Sequence, residues 1–161
     1  MKGIFKFLVL GGALIGLVAM TVNSQAETSY FRELADRKAT FLSDGFYSVC
    51  LLLGVADKYN NFESQKNFLK EQGILPERAI NAGADDPLRK STAAYMFCRA
   101  LDIKGGAVMR VFGPSERYAL RELVYKQLVA EGPAKKIVSG RELLSILMRA
   151  SEYKAKEVGT K

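Results

Sequence analysis

The sequence predicts an all-α protein: a small domain of five to six helices, with at most one short strand near residues 108–112. Three observations lead there. Apolar residues recur at three- and four-residue spacing through several segments of helical length. Glycines, prolines and capping side chains stand where such helices start and stop. Capped apolar segments also recur at intervals of 46 and 50 residues, a period found in stacked helical units.

The first 26 residues are unlike the rest. Lys2 and Lys6 open the chain, no acidic residue precedes Glu27, and Phe7 to Met20 is unbroken apolar and glycine sequence. Ser24-Gln25-Ala26 then supplies the small residues that signal peptidase favours. The expectation is a signal peptide over 1–26, cleaved after Ala26, with an uncleaved anchor as the alternative. The apolar run is shorter than the roughly 20 residues that span a bilayer. No Cys follows it, so no lipid anchor is expected. Export to the periplasm or the cell surface follows, which disfavours nucleic acid as a partner.

Residues 27–40 form a polar lead segment in which Tyr30, Phe31 and Leu34 suggest a short helix. A single domain is expected over 41–155. Its first helix carries Phe41, Leu42, Phe46, Val49, Cys50 and Leu53 and ends at Gly54. Being apolar nearly all round, it belongs at the centre. Asn60 or Asn61 caps the next helix, with Phe62, Gln65, Phe68 and Leu69 inward and Gly73 at its end. Ile74 and Leu75 return to the core before Pro76, and residues 79–84 read as loop. Asp86 is then expected to cap a helix with Pro87 at its first position and Lys104-Gly105-Gly106 as its stop.

Val108 to Phe112 is short and β-prone. Gly113-Pro114-Ser115 opens a further helix through Leu120, Leu123, Leu128 and Val129, broken by Gly132-Pro133. Ser139-Gly140-Arg141-Glu142 reads as a reciprocal capping box for the last helix, which bears Leu143, Leu144, Ile146, Leu147 and Ala150. The tail, 156–161, is expected to fray.

Composition excludes several chemistries. The chain has no histidine, so Ser-His-Asp and Cys-His catalysis and His-ligated zinc are ruled out. Two cysteines cannot make a four-thiolate zinc site. No catalytic residue, metal or cofactor is expected. Cys50 and Cys98 lie in apolar helical runs; in an oxidising compartment they pair as one disulfide, or else remain as two buried free thiols. Charge is uneven: residues 27–87 carry net −3 and residues 88–161 net +8. A basic half can hold an anionic polymer, or can simply be a solvated face.

Three segments align, near 42–54, 88–100 and 138–150, each an apolar residue, a cap-like stretch and a helix. Phe68-Leu69-Lys70-Glu71-Gln72-Gly73-Ile74-Leu75, followed by Asp85-Asp86-Pro87-Leu88-Arg89 and the run to Arg99-Ala100-Leu101, resembles a surface-layer homology (SLH) repeat. In that family a helix leads through a Gly-Ile turn and an acidic loop to an Ile-Thr-Arg-Ala-Glu-like stretch opening a second helix. The resemblance covers about 40 residues. It implies a helical scaffold and, through the arginine of that stretch, contact with a cell-wall glycan. This chain departs from the pattern, with Arg89-Lys90-Ser91-Thr92 and Ser139-Gly140-Arg141-Glu142 in place of Thr-Arg-Ala-Glu. Lys90 approximates the arginine position and Arg141 stands one residue off it, and the family's aromatic first-helix motif is missing.

The expected function is a non-catalytic envelope protein that binds an anionic glycan or cell-surface polymer through its basic half. Candidate contacts are Arg89, Lys90, Arg110, Arg117, Arg121 and Arg141, most of them at helix starts where backbone amides also favour anions. The alternative is a periplasmic adaptor or scaffold whose partner is another envelope protein, with Tyr118, Tyr125, Arg117 and Arg121 as its contact surface. A third reading is a carboxylate-dependent hydrolase using Glu116, Glu122 or Glu142.

Overall fold

The computed structural model of the chain describes residues 28–105, 113 and 115–159. The expected signal peptide, the strand expected near 108–112 and Arg110 lie outside the described residues. Seven helices and no sheet occur among the described residues: α1 (28–36), α2 (Leu42–Leu53), α3 (Phe62–Glu71), α4 (Glu77–Ile80), α5 (Lys90–Ala100), α6 (Glu116–Tyr125) and α7 (Gly140–Gly159). The fold is all-α, as predicted.

The architecture is organised around a ring of three backbone hydrogen bonds. Leu88 N–H donates to the Thr40 carbonyl, Thr40 N–H to the Val138 carbonyl, and Val138 N–H to the Leu88 carbonyl, each at 2.9 Å. The Thr40 hydroxyl adds a bond of 2.9 Å to the same Val138 carbonyl. Two antiparallel β-bridges, Phe41 with Pro87 and Arg89 with Ile137, flank the ring. Three segments far apart in sequence thus meet as extended backbone, and α2, α5 and α7 each begin two residues beyond the ring, at Leu42, Lys90 and Gly140. The first amide of a helix has no partner within its own helix. Here Leu42 N–H finds the Asp86 carbonyl at 2.8 Å, Lys90 N–H the Lys136 carbonyl at 2.8 Å, and Gly140 N–H the Arg37 carbonyl at 2.9 Å. In this ring Thr40, rather than Leu42, stands level with Leu88 and Val138.

The ring explains the largest departure from the sequence reading. Asp86 does not cap α5, and Pro87 is not its first residue. Residues 87–89 stay extended because Leu88 must reach both Thr40 and Val138, so the helix starts at Lys90 with Arg89 as N-cap. The Asp86 carboxylate instead accepts from Gly83 N–H at 2.8 Å. The far end also differs: α5 stops at Ala100, before Lys104-Gly105, in a turn where Asp102 has φ 50°.

α2 is the central helix, packed against α3, α5 and α7. Its buried Phe46, Val49, Cys50 and Leu52 join Leu88, Met96, Phe97, Leu143 and Ile146 in one core. Gly54 ends it with φ 74°, a left-handed conformation that costs glycine little. Asn61 caps α3, its side chain accepting from Ser64 N–H at 2.9 Å. Pro76, expected only as a stop, also begins the short α4, whose last two residues fall in the 79–84 span that the sequence reads as loop. Ser115 caps α6 by accepting from Tyr118 N–H at 3.3 Å. That helix ends at Tyr125 rather than running to Val129. A turn at Gln127 (φ 59°) carries Leu128 and Val129 into the core by another route.

The lead segment is structural. Leu34 of α1 is fully buried, and Tyr30 meets Tyr47 edge-to-face at 4.8 Å. α7 continues through Gly159, well into the tail that was expected to fray.

Candidate functional site

Residues next to the ring border a cleft of about 280 Å3 lined by Leu42, Arg78, Asp86, Pro87, Arg89, Thr92 and Ile137, together with Ala79 and Ala82. Each wall has an identifiable origin. Arg89 projects from the N-cap position of α5, held extended by its bridge to Ile137. Arg78 comes from α4, anchored by buried Ala79 and buried Pro76. Thr92 lies in the first turn of α5 and donates its hydroxyl to Glu116 Oε1 at 2.5 Å. The other oxygen of Glu116 faces Arg78 Nη1 at 3.7 Å, a loose ion pair. Glu116 therefore joins α4, α5 and α6 at one edge of the cleft. Arg89, half-buried, has no ion pair or hydrogen bond from its guanidinium among the described residues. A guanidinium so placed retains its donor fork for a carboxylate or phosphate.

The six basic residues singled out in the sequence do not share one site. Arg89 lines the cleft. Arg117 and Arg121 are exposed on one face of α6, four residues apart. Arg141 is exposed on the first turn of α7 and borders a different groove. Arg110 lies outside the described residues.

Lys90 must be corrected as a ligand contact. It is 1 % exposed, and its ammonium is 2.6 Å from Glu142 Oε1 and 3.1 Å from the Ala130 carbonyl. Its charge is spent inside the fold, fastening α5 to the 130–131 turn and to α7, where no polymer reaches it. Glu142 is corrected by the same contact. Ser139 accepts from Glu142 N–H at 3.3 Å as expected of a cap, but the Glu142 carboxylate goes to Lys90 and, at 3.1 Å, to Lys136. Burial opposes its ionisation, yet the hydrogen bonds from Lys90 and Lys136 outweigh burial and hold it below the ordinary carboxylate range.

Other basic side chains are also used structurally. Lys154 donates to the Leu52 carbonyl at 2.7 Å, Arg99 to the Gly73 carbonyl at 3.0 Å, and Arg149 to the Gln127 carbonyl at 3.0 Å. The first two close helix C-termini, where cations are favoured. Part of the positive excess in residues 88–161 is thus consumed in holding the fold.

Cys50 and Cys98 are both buried free thiols. Burial pushes each thiol up to about 11, so neither is a nucleophile at neutral pH. The three candidate carboxylates are engaged: Glu116 by Thr92 and Arg78, Glu122 by Lys126 at 3.7 Å, and Glu142 by its two lysines. No cluster of three or more metal-ligating side chains occurs among the described residues, and no described helix is long and apolar enough to cross a membrane.

Sequence reasoning passed over Arg78. Its signal was present: proline immediately before Glu77-Arg78 marks a helix start as readily as a stop. Comparison with protein-family models, curated proteins and solved structures returned no match to this chain.

Proposed function

We propose that this protein is a non-catalytic, exported component of the cell envelope that binds an anionic glycan or surface polymer, and that Arg89 and Arg78 make the contact. The observation that carries this reading is the cleft: an unpaired guanidinium and a loosely paired one line the same depression of about 280 Å3, beside the Thr92 hydroxyl and the Asp86 carboxylate. Guanidinium forks recognise carboxylate and phosphate groups, and neighbouring hydroxyl and carboxylate groups can bond sugar hydroxyls. Export rests on the leader-like sequence of residues 1–26. The SLH-like reading is retained as a proposal on the residues 68–101, with the glycan contact moved from Lys90 to Arg89. The ring joining three helix starts supports a repeated unit.

The test is co-sedimentation of the protein with purified envelope polysaccharide. Saturable binding that weakens roughly ten- to hundredfold in Arg89→Ala is expected, since one charge-assisted contact is worth roughly 1.5–3 kcal/mol. Binding unchanged by Arg78→Ala and Arg89→Ala together would sink the reading.

One observation favours the adaptor alternative. Tyr125, 81 % exposed, follows Arg117 and Arg121 at four-residue spacing on α6, a combination found at protein interfaces. If an envelope extract yields a stoichiometric protein partner lost in Tyr125→Ala while polysaccharide binding is absent, the adaptor reading replaces the first.

A further inference from the structure

We propose that the outward face of α7 docks on an anionic phospholipid bilayer, with Met148 entering the headgroup layer and Arg141 and Arg149 meeting lipid phosphates. None of these residues lines the cleft described above.

The inner face of α7, through Leu143, Ile146 and Ala150, is committed to the core. Its outer face is not purely polar. Arg141, Leu144, Met148 and Glu152 recur at three- and four-residue spacing and border a shallow groove of about 430 Å3, together with Ser145 and Arg149. Met148 is 64 % exposed, next to half-buried Leu144. A single exposed apolar side chain is ordinary on a protein surface. The surroundings of this one are not. Arg141 lies two turns before it with no internal partner among the described residues. Arg149 follows it, and one of its nitrogens reaches the Gln127 carbonyl. Arg149 also borders an adjoining depression of about 410 Å3 that adds Lys126, Tyr153 and Lys156. Across both depressions four cationic side chains stand against two acids, Glu152 and the Glu122 that pairs with Lys126 at 3.7 Å.

An apolar tip within a basic rim, with a tyrosine at the edge, is the pattern of a surface that lies on an anionic leaflet. Methionine suits the insertion because its unbranched, polarisable chain adapts to a fluid partner. In a two-fold contact this face would meet itself, so its excess of cationic over acidic side chains would face the same excess, which disfavours a second copy of this chain as the occupant.

The chain contains no tryptophan, so Met148→Trp places a single fluorophore on this face. The signal then reports α7 alone, whatever the apolar segment 7–20 does. Vesicles of equal parts phosphatidylglycerol and phosphatidylcholine should shift the emission to the blue, and brominated acyl chains should quench it. Phosphatidylcholine vesicles alone should do neither. An Asn67→Trp variant, on exposed α3 surface, should not respond. Adding Arg141→Glu should weaken the vesicle response about tenfold. An acidic residue in the first turn suits the helix dipole, so this variant keeps its fold, as its circular dichroism will verify. The proposal is overturned if the fluorophore at 148 ignores phosphatidylglycerol vesicles, or if the one at 67 responds equally. It is also overturned if Arg141→Glu changes nothing, or if the shift appears without lipid as protein concentration rises, which would identify a second copy as the occupant.

Discussion

The junction of α1 with α7 leaves no room for a side chain at Gly140, and the cost of adding one follows from the geometry. An ideal Cβ at this position would overlap the Leu34 carbonyl oxygen and stand 2.6 Å from the carbonyl carbon. A Cβ keeps at least about 3 Å from any non-bonded atom, and the overlapped oxygen is the nearer one, so the backbones must separate by roughly 1.5 Å. The atoms in the way are backbone, held at the end of α1 by fully buried Leu34, and no rotamer change relieves them. Separation breaks the bond from Gly140 N–H to the Arg37 carbonyl and strains the ring bond between Thr40 and Val138 two residues away. A buried amide left unpaired costs about 1–3 kcal/mol, and overpacking of this kind adds about 1–3 kcal/mol. Gly140→Ala should therefore lose on the order of 3–5 kcal/mol, a large part of the 5–15 kcal/mol typical of a domain. Gly54→Ala is the control. That position has φ 74° but nothing within 4 Å of the added carbon, so it should cost only about 1 kcal/mol, the strain of a left-handed alanine. Urea unfolding of both variants, followed by circular dichroism at constant m-value, measures the difference. If Gly140→Ala is no less stable than Gly54→Ala, the packing of α1 against the start of α7 is not as described.

Further outcomes follow from the buried ion pair and the thiols. Glu142→Gln should destabilise by about 3–5 kcal/mol, because Lys90 would be left charged and buried, whereas Lys136→Ala, at a half-exposed lysine, should cost under about 1 kcal/mol. Thermal unfolding of the two variants checks this, and equal losses would contradict the ranking. The Glu142 pair should also give an acid-side signature. Its folded pKa is depressed, so its contribution is complete above the unfolded carboxylate value of about 4.3 and drains away as pH falls through the lower folded value. The stability gap between wild type and Glu142→Gln should thus narrow below pH ~4; a gap that widens there would reverse the sign. Cys50 and Cys98 should be silent to a thiol reagent at pH 8 in the native protein and both react in denaturant, since burial holds both thiols mostly protonated. Rapid native labelling of either one would show that its helix opens.

Legibility in the sequence tracked the range of the interactions. The helix starts at Asn60 or Asn61 and at Gly113-Pro114-Ser115 were legible because each cap bonds an amide three residues on, within its own helix. Gly54 and the apolar stripe of α2 were recognisable for the same reason: spacing and backbone conformation are local. What failed was decided at long range. Residues 85–87 carry good helix-start chemistry, but the three-way ring holds residues 87–89 extended, and no local pattern announces a bond from Leu88 to Thr40. Glu142 matches a capping box in sequence, yet Lys90, fifty-two residues earlier, offers its carboxylate a better partner. Lys90 looked like one more surface cation for the same reason, since charge in a sequence carries no information on burial. Of the cleft, Arg89 was identified and Arg78 was not. Bringing the two together depends on α4 folding back beside the start of α5, a tertiary event.

The most direct measurement of the central claim is the salt dependence of polysaccharide binding by three forms of the protein side by side: wild type, Arg78→Ala with Arg89→Ala, and Arg117→Ala with Arg121→Ala. Both double variants remove the same charge, but only the first removes it from the cleft. The cleft variant should lose binding about tenfold or more and show a shallower salt slope, while the α6 variant should stay within about twofold of wild type. Equal losses in the two variants would mean that the basic half acts as a diffuse charged surface and that the cleft between α4 and α5 is not the binding site.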